Sequence, residues 1–188
     1  MKTIAKRLIA AFFILTALAF VADAQKKKVK KTTPQKVNVN NNLCPGANGL
    51  TETEIDGILD AHNKARADVG LSTKLKWSCK LADYARAWAK RGIFEHRSGA
   101  LYGENIFGSA DTSLSPTSGV LGWLGEKSFW NNSTATCQAG KICTHYTQIV
   151  WKSTTEIGCA INRDAPGTWK LFFVCNYNPA GNGGGKAY

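Results

Sequence analysis

Several chemistries can be set aside because their signatures are missing. No Cys-x-x-Cys pair occurs, which argues against zinc ribbons and thioredoxin-like redox motifs. Neither H-E-x-x-H nor G-x-S-x-G is present, so neither a zinc-protease helix nor a hydrolase nucleophile elbow is announced. Histidine is scarce, with three in 188 residues. The apolar run Leu8–Val21 falls short of the ~20 residues needed to span a bilayer, and no other segment could cross one. No internal repeat is visible.

What is present points to export. Lys2, Lys6 and Arg7 precede that apolar run, and Ala22-Asp23-Ala24 offers a small-residue cleavage site before Gln25. This is the layout of a secretory signal peptide over residues 1–24, with a secreted, extracellular product. All six cysteines fall after it: Cys44, Cys79, Cys137, Cys143, Cys159 and Cys175. An even number in an oxidising destination predicts three disulfides, though six cysteines allow ~15 pairings. Cys159 and Cys175 flank the Asp164-Ala165-Pro166-Gly167 turn symmetrically, so an antiparallel hairpin would set them side by side. Cys137 and Cys143 suit a small closed loop, which leaves Cys44 with Cys79.

The formal charge of +11 is mostly a property of one segment. Six lysines between Lys26 and Lys36 lie in a Lys- and Asn-rich stretch almost without aromatics, so residues 25–43 are expected to be a disordered basic linker. Such a linker suits an acidic polysaccharide or a membrane surface, or simply solvates the chain. Without interleaved aromatics or a recognised module, a nucleic-acid role is not expected.

Residues 44–182 are one domain of ordinary size. Thr51-x-x-Glu54 reads as a capping box opening a helix, with Ile55, Ile58, Leu59, His62 and Ala65 at helical spacing. A second helix is expected from Ser78 to about Arg91, stopped by Gly92, and a third from about Ser118 to Trp130. Strand-like runs cover 149–151, 157–161 and 169–177, and the alternation around His145 suggests that it opens a strand. Helices before a hairpin predict an α+β chain with a largely antiparallel sheet. Residues 183–188, rich in glycine, read as a flexible tail.

Two stretches carry a family resemblance: Thr144-His145-Tyr146-Thr147-Gln148-Ile149-Val150-Trp151, and Phe172-Phe173-Val174-Cys175-Asn176-Tyr177-Asn178-Pro179-Ala180-Gly181-Asn182. They resemble the two signatures of the CAP superfamily of cysteine-rich secretory, venom-antigen and pathogenesis-related proteins. Ala61-His62-Asn63-Lys64-Ala65-Arg66 is similar to its first-helix motif, and Leu75-Lys76-Trp77 with Leu81-Ala82-x-Tyr84-Ala85 to its second. Thr144 departs from the pattern, since a small or charged residue usually precedes the histidine. The resemblance implies a three-layer α-β-α sandwich with a mainly antiparallel central sheet. It also implies that His96, Glu104, Glu126 and His145 line one cleft.

Two imidazoles, here His96 and His145, can bind Zn2+ or another divalent cation, with the glutamates orienting the rings. The rival interpretation is a buried hydrogen-bonded network that only fixes the fold. A metal-assisted hydrolase or protease using the same cleft is a further alternative, but no nucleophile is evident, and Ser98 is near His96 only in sequence. His62, on the inward face of the first helix, reads as a buried structural histidine.

Some family members bind sterols or fatty acids, and the aromatic-rich stretch with Trp123, Phe129 and Trp130 is the candidate surface for such a ligand, although aromatics at helical spacing are more often core. Asn131 and Asn132 head overlapping glycosylation sequons. The expected product is a monomeric, non-enzymatic binding protein for a small hydrophobic ligand or an extracellular partner in defence or host interaction.

Overall fold

The computed structural model describes Cys44 and residues 48–188. The expected signal peptide (1–24) and basic linker (25–43) lie outside the described residues. The Thr51 capping box is formed: Glu54 N donates to Thr51 Oγ1 at 3.2 Å, and Thr51 N donates to Glu54 Oε2 at 2.9 Å. It opens helix α1 (Glu52–Asp68), whose inward stripe is Ile55, Ile58, His62 and Arg66. Strand β1 (Lys76–Trp77) leads into α2 (Cys79–Ala89). Then come β2 (Gly103–Ser109), α3 (Pro116–Gly125), a 3-10 turn (Glu126–Phe129), and the short ribbon of β3 (Trp130–Asn131) with β4 (Thr136–Cys137). Helix α4 (Thr144–Ile149) and the hairpin of β5 (Glu156–Asn162) and β6 (Leu171–Asn178) complete the order.

The main sheet runs β1-β5-β6-β2, with only the β1–β5 pair parallel. Its central strands are buried on both faces, which is why β6 reads as an almost unbroken apolar run. On one face, Ala160, Phe172 and Val174 meet Ala85, Trp88 and Ala89 of α2. On the other, Cys159, Phe173, Cys175 and Tyr177 meet Ile58, Val120, Trp123, Tyr146 and Ile149 from α1, α3 and α4. The three-layer α-β-α sandwich expected from the sequence is therefore present. Helix α2 lies so close on β5 that a side chain at Gly158 would strike the backbone of Ser78 and Ala82.

The three disulfides are Cys44–Cys79, Cys137–Cys143 and Cys159–Cys175. The last joins directly opposed positions of the β5–β6 hairpin, with Cα atoms 4.1 Å apart.

Four expectations need correction. Residues 144–149 form a helix, and residues 149–151 hold no strand. Tyr146, Thr147, Gln148 and Ile149 are all buried, so this short helix has no polar face to reveal its period. The third helix starts earlier and ends at Gly125, tightening into the 3-10 turn before Trp130 enters a ribbon. Strand β2, which pairs with β6 along its whole length, carries no clear apolar alternation and was not expected. The C-terminal residues are not loose: Ala187 is buried, its carbonyl accepts from Lys152 N at 2.8 Å, and the Tyr188 ring meets Tyr146 edge-on.

One cation ties the helical layer together. The fully buried Arg66 side chain donates from Nε to Thr73 O (3.0 Å), from Nη1 to Ile149 O (3.0 Å) and Trp151 O (2.8 Å), and from Nη2 to Thr154 O (3.0 Å). Four carbonyl dipoles thus replace the water that the guanidinium loses on burial. Arg66→Met is expected to strand these acceptors and lower stability by about 3 kcal/mol or more. Urea unfolding checks this, and a loss below about 1 kcal/mol would show that water replaces the guanidinium freely.

Candidate functional site

Two imidazole–carboxylate dyads border the same pair of cavities through His96 and His145. The first is built on β2 and the loop after α2. Trp88 Nε1 donates to Glu95 O at 2.9 Å, which pins that loop to the helix. His96 then presents Nδ1 to Glu104 Oε1 at 3.0 Å, and the same oxygen accepts the Arg97 amide at 3.0 Å. Glu104 Oε2 accepts from Asn176 Nδ2 at 3.3 Å. Burial alone would raise the Glu104 carboxyl, but the bonds from His96, Arg97 and Asn176 together hold it below the usual carboxylate range. The Glu104 hydrogen bond raises the His96 pKa in return.

The second dyad joins the 3-10 turn to α4. Glu126 Oε1 accepts from His145 Nδ1 at 2.6 Å. Its Oε2 accepts the backbone amides of both His145 and Tyr146, each at 3.1 Å. One carboxylate therefore both orients the imidazole and caps the free amides at the start of α4. This cap is the local reason that residues 144–149 coil as a helix. Trp123 completes the clamp, stacked 5.9 Å from His145 on one side and 5.5 Å from Phe173 on the other.

Behind the dyads runs a buried hydrogen-bond chain that reaches α1. His62 Nδ1 lies 2.7 Å from Ile58 O, which can only accept, so Nδ1 carries the proton. His62 Nε2 is then an acceptor for the Tyr177 hydroxyl at 3.0 Å. The Tyr177 oxygen accepts from Asn105 Nδ2, and the same amide donates to His145 O, both at 3.1 Å. The backbone of His145 is thereby tied through β2 and β6 to the first helix. Asn105 and Gln148 are site-building residues that sequence patterning missed. The Gln148 amide accepts Gly181 N at 2.8 Å and leaves no room for a side chain at Gly103 or Gly181.

His96, Thr144 and His145 border two adjoining cavities of about 380 Å3 each. One is polar, with Tyr102, Glu104, Asn105 and Asn182. The other is more apolar, lined by Trp130, Ile142 and the Cys137–Cys143 disulfide, with Lys141 at its edge. Of the expected aromatic surface, only Trp130 lines this groove. Trp123 is 4% exposed and belongs to the core, while Phe129 lies beneath the Lys141 ammonium at 4.8 Å. Asn131 is exposed, but the Asn132 amide is engaged by the backbone of Ala187 and Tyr188.

The donor set defines what could bind. Among the described residues, no three His, Cys, Asp or Glu side chains form a metal cluster. With each Nδ1 committed to a glutamate, the free donors are the Nε2 lone pairs of His96 and His145. A divalent cation held here would take these two nitrogens, with water or a ligand completing its shell and Glu104 and Glu126 orienting the rings. Among the described residues, neither cavity is lined by a serine or a free thiol, and Ser98 borders a different cavity.

Residues 59–177 match the family described as CAP, the cysteine-rich secretory protein family. The chain is 43% identical over 138 residues to the pathogenesis-related protein PRMS of Zea mays, covering 70% of this chain and 80% of that protein. Among solved structures, NaASP2 with Zn2+ aligns with a TM-score of 0.61 at 26% identity, covering 76% of this chain and 87% of that one. The venom allergen-like protein 4 of Schistosoma mansoni aligns with a TM-score of 0.59 at 28% identity, covering 74% and 95%.

A pH dependence follows from the buried chain. Burial lowers the His62 pKa from 6.5 to about 4, so the unfolded chain takes up this proton first as pH falls. Stability from neutral His62 is complete above pH 6.5 and is lost as pH drops toward 4. His96 works in the opposite sense, since its raised pKa favours the fold at low pH and fades as pH rises. Unfolding free energy is expected to fall by about 2–3 kcal/mol between pH 7 and 4.5 through His62. Chemical denaturation of wild type and His62→Gln checks this, and equal pH slopes in both would contradict it.

Proposed function

The chain belongs to the cysteine-rich secretory protein (CAP) family, and within it we propose an extracellular binding protein with a metal-assisted ligand groove. Three disulfides suit an oxidising, extracellular setting, and its similarity to plant pathogenesis-related proteins suits defence. The observation that carries the proposal is the adjacency of the two cavities at His96 and His145. The polar cavity would seat a divalent cation such as Zn2+ on the two Nε2 atoms. The apolar cavity would take a small hydrophobic ligand, a sterol or a fatty acid. A volume of about 380 Å3 lies within the ~300–1,000 Å3 typical of small-molecule sites. That NaASP2 was solved with Zn2+ supports the cation half of this proposal.

A partner protein gripping the same rim is the second reading. It is favoured by Leu101 and Ile142, which are 76% and 61% exposed beside the two cavities. Hydrolysis has less support, because water activated by the cation would be its only nucleophile.

Isothermal titration of zinc into the metal-stripped protein is expected to show one site, lost in His96→Ala/His145→Ala. Unchanged binding in that double variant would remove the cation site. Labelled sterol or palmitate is expected to bind saturably and to lose at least roughly tenfold in affinity in Ile142→Glu, since a buried charge opposes an apolar ligand. No saturable binding of either lipid would leave the partner protein as the better reading. Chelator-sensitive turnover of a peptide or ester library, abolished in Glu104→Gln, would instead establish an enzyme.

A further inference from the structure

A third cavity, separate from the two at the dyads, lies against the C-terminal half of α2 and is lined by Ala87, Trp88, Arg91, Arg97 and Ser98. Its volume is about 340 Å3, and no carboxylate lines it. Both of its cations are held by aromatic faces rather than by acids. The Arg97 guanidinium sits 3.7 Å above the Tyr84 ring centroid and 5.3 Å from that of Trp88, and Arg91 lies 4.8 Å from the same Trp88 ring. Neither arginine joins any of the ion pairs found among the described residues.

Arg97 is also incompletely satisfied. Its Nη2 donates to Tyr84 O at 2.7 Å, but its Nε is buried with no partner. That Nε is sealed from solvent, so the donor Arg97 can offer a ligand is Nη1, which has no hydrogen-bond partner among the described residues. The Arg97 fork is thus pre-positioned, with part of its donor capacity unspent. Arg91 has no hydrogen-bonded side-chain partner among the described residues and can swing toward a ligand. The Ser98 hydroxyl supplies a third donor at the same cavity.

We propose that the cavity formed by Trp88, Arg91, Arg97 and Ser98 is an oxyanion site for a phosphate or sulfate monoester. Two guanidinium forks and a hydroxyl present more donors than a two-oxygen carboxylate can use, whereas a tetrahedral anion with three free oxygens can accept from all of them. The cavity has room for the small group that carries the ester as well as for the anion itself. Two sources share this chemistry, a soluble sugar ester and a lipid headgroup.

The test is an NMR titration of the purified protein with inorganic phosphate and inorganic sulfate, with sodium chloride at matched ionic strength as the control. The Trp88 indole N–H and the Arg97 side-chain resonances are expected to shift saturably with either oxyanion and not with chloride. Arg91→Gln, an exposed change that removes no hydrogen bond, is expected to weaken binding roughly tenfold. Arg97→Lys keeps the charge but loses the fork, and a similar weakening is expected if that variant folds. The source is then read with glucose 6-phosphate and with phosphatidylcholine vesicles containing phosphatidic acid. Arg91-dependent binding of the sugar phosphate assigns a soluble ester, and Arg91-dependent co-sedimentation with the vesicles alone assigns a headgroup. Non-saturating shifts, shifts matched by chloride, an unchanged Arg91→Gln affinity, or binding of neither ester would overturn the proposal. Zinc binding at His96 and His145 gives a separate readout, so failure here is distinguishable from failure there.

Discussion

The buried chain from Ile58 O through His62, Tyr177 and Asn105 to His145 O is the constraint on which the site depends. Each link has one permitted direction, because it begins at a carbonyl that can only accept and ends at amide protons that can only donate. Four elements that are far apart in sequence are thereby fixed in one polar register inside an apolar interior. A buried network of this kind is stabilising only when every member is satisfied, and burial holds the His62 ring in the neutral form that the network needs. Arg66 performs a parallel task a few residues along α1, clasping the carbonyls that follow α4.

With the backbone of His145 held in this way, the two dyads acquire their chemistry. Each glutamate accepts a hydrogen bond from Nδ1–H of its histidine, which keeps the proton on Nδ1 and leaves Nε2 as a lone-pair donor. Glu126 does more, because its second oxygen caps α4 and couples the orientation of the ring to the existence of the helix. Glu104 is similarly tied, since Arg97 and Asn176 occupy it from two directions. Disturbing either carboxylate should therefore alter the loop geometry as well as the imidazole. The loop after α2 shows the economy of the arrangement: His96 faces the cleft, while Arg97 turns its side chain to the cavity on α2.

Much of this architecture was legible in local chemistry. Thr51 and Glu54 announced the first helix because a capping box is a short-range bond pattern. Cys159 and Cys175 announced the hairpin because their spacing about the turn is symmetrical. What escaped was set by tertiary surroundings. Helix α4 buries four of its six residues, polar Thr147 and Gln148 included, and is capped by a residue 19 positions away, so neither periodicity nor a local cap marks it. Asn105, Gln148 and Arg66 are polar residues buried for their partners, which lie far along the chain. The four dyad residues sit on four separate segments, and only the family resemblance connected them before the fold was known. Trp123 shows how the two roles part, since helical spacing suits an aromatic to the core as well as to a ligand surface, and this one belongs to the core.

The most direct test of the account is the tautomer of each imidazole, read by long-range nitrogen–proton NMR at a pH where the rings are neutral. His62, His96 and His145 are all expected to carry the proton on Nδ1, with Nε2 of His96 and His145 bare. A proton on Nε2 of either dyad histidine would mean that its glutamate does not hold Nδ1, and the proposed cation site would lose its donor.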